Sequence, residues 1–257
     1  MNFNFSEDQI AIRELAYQIF TDRASDEFLL AFSRSDDTYD EPLWQTLAEQ
    51  GLLGIAIPEA AGGSGLGLVE LCVILEEQGR RVAPVPLYAS LVLGGLPLAE
   101  FGSAEQQQRY LAPLAAGTAK FSAAIADVGM NAAVATAVTV AQQGDQWVLN
   151  GIKAVVPDGA VADFILVPAE DAAGQQSMFV VDTSAPGVTL QAVEIGISGQ
   201  RAAHLRLDNV KLSADALLGE PGQGGCILEW LEQRANIGHC ALQVGVTEEA
   251  MTRTAAY

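Results

Sequence analysis

Few residues of this chain carry chemistry by type and spacing. The histidines are His204 and His239, one in a strand-like run and one in a helix-like run, and neither has the neighbours that a metal site or a Ser/His/Asp triad requires. Cys72, Cys226 and Cys240 show no C-x-x-C spacing, so a zinc site and a disulfide framework are not indicated, and all three are expected to be buried, inert thiols. The glycine-rich stretch Gly62-Gly-Ser-Gly-Leu-Gly67 does not satisfy G-x-G-x-x-G and does not sit in a βαβ unit, and no G-K-[ST] follows it, so it is not read as a nucleotide cradle. Arg80-Arg81 ends a helix-like run. The pair complements the helix dipole, with a contact to phosphate or an acidic partner as the competing role.

Composition narrows the classes further. A 257-residue chain with half of its residues hydrophobic can bury a substantial core in two to three domain-sized units. The net charge of −19 argues against a nucleic-acid partner, which would be repelled. With 13 Lys and Arg, any pyrophosphate must be held by a few local cations, helix N-termini or another polypeptide. No apolar run is long enough to span a bilayer, and the start Met1-Asn-Phe-Asn-Phe-Ser lacks the pattern of a secretory signal, so a cytoplasmic location is expected.

The elements that must position any site follow from periodicity. Ser6 with Gln9 makes a capping box, and Phe5 with Ile10 a hydrophobic staple, at the start of an amphipathic helix. A second helix runs from Pro42 to Gly51 with Leu43, Trp44 and Leu47 on one face. A third, Leu66 to Arg81, is nearly all apolar and so central. Pro84 and Pro86 break it, Leu87 to Leu98 continues as helix, and Ser103 with Gln106 caps another that stops at Gly117. Beyond Phe121, six short β-branched or alternating runs (residues 134–140, 147–152, 164–167, 178–181, 188–190 and 203–210) are separated by Gly, Asp and Pro, which reads as an antiparallel sandwich or barrel. From Gly224 the chain is helical again. The apolar set Ile227, Leu231, Ile237, Ala241, Leu242, Val244 and Val246 on that helix has no obvious cover within the sequence, so self-association or pairing with another subunit is expected.

Three motifs, in order, resemble the acyl-CoA dehydrogenase family. Gly51-Leu-Leu-Gly54-Ile-Ala-Ile-Pro58-Glu59-Ala-Ala-Gly62-Gly63-Ser-Gly65 is similar to its G-L-x-G-x-x-x-P-E-x-x-G-G-x-G turn. Trp147-Val-Leu-Asn150-Gly151-Ile-Lys153 followed by Ala162-Asp163 is similar to its W-x-L-N-G-x-K…A-D hairpin. Leu207, Asn209-Val210, Leu212, Leu218-Gly219 and Gly222 or Gly224 fall on F-x-x-V-x-V-P-x-x-x-x-L-G-x-x-x-x-G, with Ser213 in place of the proline. The resemblance implies a multidomain α and β fold: an N-terminal α-helical domain over 1–118, a middle antiparallel β-domain over 119–222, and over 223–257 the first helix of a truncated C-terminal α-domain.

It also implies FAD as cofactor, an acyl-CoA substrate oxidised to the 2-enoyl-CoA, and electrons passed to an electron-transfer flavoprotein. A homo-oligomer, or a heteromer with a homologous dehydrogenase subunit, is the implied assembly. Where the family has T-E-P-x-x-G-S-D against the flavin, this chain has Ala123 to Asn131. Ile125, Ala126 and Asp127 therefore fall at the cofactor, with Asn131 in the serine's place near the substrate. Where the family has K-x-W/F-I-T/S, this chain reads Lys153-Ala-Val155-Val156-Pro157, and proline supplies neither the hydroxyl nor an N–H. Gly245 and Tyr257 keep the family's spacing to the position just before its R-x-Q-F-G motif. Counting back, one of the family's two base positions falls on Ala235, followed by Asn236, and the other lies beyond residue 257. Glu232 and Glu229 stand one and two turns earlier as weak substitutes, so no catalytic residue is assigned. The implied function is an FAD-dependent acyl-CoA dehydrogenase subunit, with two alternatives: a catalytically inactive partner subunit of a heteromeric dehydrogenase, for example in steroid side-chain breakdown, and an interaction module without ligand.

Overall fold

The first helix, α1 (Glu7–Arg23), starts where Ser6 Oγ accepts from the Gln9 N–H and Gln9 Oε1 accepts from the Ser6 N–H, which closes the expected capping box. The expected staple does not form a buried contact. Phe5 and Ile10 remain 39% and 45% exposed, and the Arg13 guanidinium lies over the Phe5 ring instead. The structure, a computed structural model, describes residues 4–125, 138–195 and 200–256.

A short α2 (Asp26–Phe32) leads to α3 (Glu41–Glu49), which buries Leu43, Trp44 and Leu47 as their spacing predicts. Asp40 caps α3 by accepting from the Leu43 N–H and also receives the two-pronged guanidinium of Arg23 at 2.7 and 2.9 Å, so one carboxylate ties α1 to α3. Trp44 Nε1 donates to the Gly117 carbonyl at 2.8 Å across 73 residues. Trp44→Phe should cost about 1–3 kcal/mol, because the buried carbonyl loses its donor. Urea denaturation measures this, and a loss well under 1 kcal/mol would show that water replaces the indole.

The central helix α4 is Leu68–Arg81, two residues shorter at its start than the apolar run suggested, since Gly67 rather than Leu66 serves as N-cap. Its apolar residues Leu71, Ile74 and Leu75 are fully buried, and so is Glu77, held by Arg80 at 2.9 Å. After Val82 the chain enters a π-wound segment, Tyr88–Gly95, continuous with α5 (Leu96–Phe101). The Ser103 cap, the short α6 (Ala104–Gln106) and α7 (Ala112–Ala115) complete the helical layer. Gln106 reaches out of that layer to donate to the carbonyls of Asp215 and Leu217.

The strands are β1 (Phe121–Ala123), β2 (Thr139–Gln143), β3 (Gln146–Pro157), β4 (Phe164–Glu170), β5 (Gln176–Asp182), β6 (Val188–Ile195), β7 (Gln200–Ser213) and β8 (Leu217–Leu218). They form one sheet in the order β6-β7-β3-β2-β4-β5-β8, with β1 added alongside β4. Pairing is antiparallel except that β1 and β2 meet β4 in parallel, a departure from the wholly antiparallel expectation. β4 and β5 are buried on both faces. Ile165, Val167, Phe179 and Val181 face a core enclosed by the sheet, and Leu166, Met178 and Val180 face the helices. That is why these two runs lack polar alternation.

Helix α8 (Gly224–Ala255) crosses the helical layer against α4. The contact is backbone to backbone: a Cβ on Gly245 would lie 1.8 Å from the Glu76 carbonyl oxygen, and one on Gly79 2.1 Å from that of Leu242. The apolar set on α8 therefore splits. Ile227 and Leu231 are fully buried and Ala241 and Leu242 half-buried, whereas Ile237, Val244 and Val246 are exposed. The thiols also differ from expectation: Cys72 is half-buried and pushed up to about 11 by desolvation, but Cys226 and Cys240 are exposed because they lie on the face of α8 away from the core.

Candidate functional site

Lys153 to Pro157 ends β3 in a distortion that decides which side chains can face a ligand. Lys153 pairs with Leu205 and Val156 with Ala203, so three steps on β3 oppose two on β7. The extra residue is taken up with Val155 at φ +59°, a left-handed conformation unfavourable for a β-branched side chain. Val155 stands half-exposed, and its N–H points to His204 Nδ1 at 3.4 Å. Val156 is fully buried in the sheet core and offers a ligand no side chain. The Pro157 carbonyl accepts the Ser122 hydroxyl at 2.5 Å, which binds the end of β3 to β1. Ile125, just past β1, is half-buried against the helical core. Ala126, Asp127 and Asn131 lie outside the described residues.

Ile125, Val155 and Pro157 are apolar, and at the end of β3 neither Val155 nor Pro157 offers a donor to the polar edge of an aromatic ring system. The Val155 N–H is aimed at a histidine, and Pro157 has none. The residues fit an isoalloxazine as an apolar wall and not as the hydrogen-bonding clamp that the resemblance implies.

The base position is closed. Ala235 is buried, and its carbonyl accepts the Tyr88 hydroxyl at 3.3 Å. The Tyr88 ring stacks on His239 at 4.1 Å, its hydroxyl lies 3.1 Å from His239 Nδ1, and its edge comes against Gly238. Desolvation raises the Tyr88 phenol well above its ordinary range and lowers the His239 imidazole, so both are neutral at pH 7. Glu229 and Glu232 are exposed, on a different side of α8 from buried Leu231, Ala235 and Gly238. Neither reaches the Ala235 face. No motif pointed to Tyr88; the available signal was the pairing of a bulky ring in one helix with the small residues Ala235 and Gly238 in another.

The remaining sequence candidates take structural roles. His204 receives the Val155 N–H, and among the described residues no cluster of three or more His, Cys, Asp or Glu could hold a metal. Gly63 packs so closely on Ile57 that a Cβ would lie 2.1 Å from its carbonyl oxygen, so the glycine-rich loop folds onto the Gly54–Ile57 turn. Arg80 bonds Glu77, Glu76 and Glu248, and Arg81 bonds Thr21 and approaches Glu249, so both are engaged within the fold.

Directly after Pro157, Asp158 sits at φ +48° with its carboxyl pushed up to about 6 by desolvation, against the opposing pull of Arg201. A carboxyl whose folded pKa exceeds its unfolded value favours folding only when protonated. Its contribution is complete below about pH 4 and is lost as pH rises through 6. Asp158→Asn, which also tolerates the left-handed backbone, should therefore add about 1–2 kcal/mol at pH 7.5 after allowance for screening at a half-exposed site. The gain should vanish near pH 4 in thermal denaturation; an equal gain at both pH values would assign it to the backbone alone.

Comparison with known proteins agrees with this architecture. The family model for "Acyl-CoA dehydrogenase, N-terminal domain" matches residues 6–118, and that for the "Acyl-CoA dehydrogenase, middle domain" matches residues 122–210. A probable acyl-CoA dehydrogenase, YngJ of Bacillus subtilis, is 31% identical over all of this chain and 70% of its own length. Among solved structures, a variant of the Tcur3481–Tcur3483 steroid ACAD is 41% identical, with 98% of this chain and 66% of that one covered and a TM-score of 0.86. The ChsE4–ChsE5 complex from Mycobacterium tuberculosis is 31% identical over 100% of this chain and 68% of its own, with a TM-score of 0.91. The chain spans between about half and 70% of the length of the curated relatives it matches. Among the described residues no helix is long and apolar enough to cross a membrane. A helical layer, a curled sheet and a returning helix, matched along their whole length by these relatives, place the chain in the acyl-CoA dehydrogenase family of FAD-dependent oxidoreductases.

Proposed function

We propose that this chain is the base-lacking subunit of a heteromeric, FAD-dependent acyl-CoA dehydrogenase, assembled with a homologous subunit that carries the base. The observation that carries this reading is the closed Ala235 position. A side chain that cannot take a proton is buried there, its own carbonyl accepts the Tyr88 hydroxyl, and Glu229 and Glu232 lie on another side of α8. The donor-poor end of β3 supports the same reading. So does likeness to a steroid ACAD with two components in its name and to the ChsE4–ChsE5 complex. In this reading Ile125, Val155 and Pro157 line one side of a flavin, and the family resemblance assigns Ala126 and Asp127 to the cofactor and Asn131 to the substrate. The working division of the chain is 1–118, 119–222 and 223–257, and the substrate is an acyl-CoA whose acyl part includes a steroid side chain. Electrons leave through an electron-transfer flavoprotein.

A second reading is favoured by the match of all of this chain to 70% of a probable dehydrogenase. There, a longer protein containing this chain oxidises an acyl-CoA to the 2-enoyl-CoA itself, using a base from outside these residues.

Assembly separates the two. The exposed stripe of Ile237, Cys240, Val244 and Met251 along α8 is an apolar surface suited to another subunit. Co-expression with homologous dehydrogenase subunits, followed by light scattering and flavin absorbance, should give a mixed complex carrying FAD. A stable monomer that ignores every homologue would remove the partner-subunit reading.

A further inference from the structure

Arg201, near the start of β7, has an unmet requirement. Its guanidinium carbon lies 5.0 Å from the Phe32 ring centroid, and its Nη1 is buried with no hydrogen-bond partner among the described residues. A buried, unanswered guanidinium N–H is costly, so it marks a place where an acceptor belongs. Arg201 also lines a cleft of about 300 Å3 between the loop after α2, the turn after β3 and strands β6 and β7. Asp158 lines it too. The Asp158 N–H donates to the Arg201 carbonyl at 3.1 Å, which ties the two backbones together, while Arg201 Nη1 has no hydrogen-bond partner among the described residues. Among the described residues, Arg201 from β7 acts on Asp158 electrostatically, and Asp36 from the loop after α2 lines the same cleft, with Ala192 and Val193 from β6 and Ala160 and Val161 from the turn after β3.

We propose that this cleft binds a small organic monocarboxylate, its oxygens on Arg201 and on a protonated Asp158, its apolar body against Ala192, Val193 and Ala202. The planar guanidinium of Arg201 matches a carboxylate in charge and shape, and a small turn of the side chain would give its buried Nη1 the acceptor it lacks. A phosphate dianion would meet Asp36 and a chain of net charge −19, and it has no apolar body for the alanine and valine walls. Because two carboxylates cannot share the site ionised, ligand uptake is coupled to protonation of Asp158. The cleft begins one residue beyond the flavin wall and is not part of it.

Isothermal titration of the 257-residue chain with hexanoate tests this at pH 5.5 and 7.5. Binding confined to the protonated form should be tighter at pH 5.5 by up to about 20-fold, for a carboxyl titrating near 6. D158N should bind hexanoate with little pH dependence, R201M should lose it at least about tenfold, as expected for a charge-assisted bond, and A192F should block the cleft. Circular dichroism confirms that each variant is folded, and A192F keeps the test open if R201M is not. Absence of binding at millimolar hexanoate, affinity that survives R201M, inorganic phosphate binding as tightly, or displacement of hexanoate by FAD would each overturn the assignment.

Discussion

Purified alone and mixed with acyl-CoAs of graded length, the chain should reduce no electron-accepting dye. Proton abstraction by a positioned base contributes about 10²–10⁴-fold to such reactions, and here the position is a buried alanine whose carbonyl accepts the Tyr88 hydroxyl. The contribution of the flavin clamp is lost as well. FAD titrated into the isolated chain and followed by its fluorescence should bind weakly, since Val155 and Pro157 offer the ring edge no hydrogen bond. Turnover with any acyl-CoA would show that another group reaches the α-carbon, and sub-micromolar FAD affinity would show that the altered wall is harmless. The Ala235→Glu variant should not restore activity. Ala235 is buried, so the longer side chain would be forced into packed surroundings and its charge would be desolvated.

The largest expected stability effect comes from Gly245→Ala. A single methyl there would lie 1.8 Å from the Glu76 carbonyl oxygen and 2.7 Å from the Arg80 nitrogen, both backbone atoms that no rotamer change can move. Helices α4 and α8 must separate, which loosens the Arg80–Glu248 and Arg81–Glu249 contacts beside the seam. A cost of about 3 kcal/mol or more is expected, at the upper end for overpacking, and chemical denaturation reads it directly. Gly225→Ala on the same helix is the control, since its Cβ would meet only the end of Gln176 at 3.8 Å. Equal stabilities for the two variants would mean that α8 is not held by close backbone approach.

The helical first half was legible because its signals are local. Ser6 with Gln9 and Ser103 with Gln106 are reciprocal caps closed within four residues, and Leu43, Trp44 and Leu47 share a face by helical periodicity alone. The β region was legible in its runs but not in its pairing. β1, a three-residue strand, lies parallel to β4 through contacts more than forty residues apart, and short-range pattern carries no information about such a partner. Cys226 and Cys240 are exposed, against the burial that their residue type suggests. A thiol has no periodicity of its own, and its exposure depends on how α8 is rotated against α4.

For the site, the amino-acid order alone determined which chemical groups are present: an alanine at the base position, a valine and a proline along the flavin wall, and an acidic chain with few cations. Their types settle what they cannot do, since no fold makes alanine accept a proton or gives proline an N–H. Tertiary structure alone decided what they do instead. The bulge in β3 turns Val155 outward and buries Val156, the glycines of α4 and α8 let those helices touch backbone to backbone, the Tyr88 hydroxyl takes the Ala235 carbonyl, and strands β6 and β7 set Arg201 in one cleft with Asp158 without pairing them. Each of these depends on the register and approach of elements distant in sequence. Those quantities are set by packing across the whole molecule and not by any residue's neighbours along the chain.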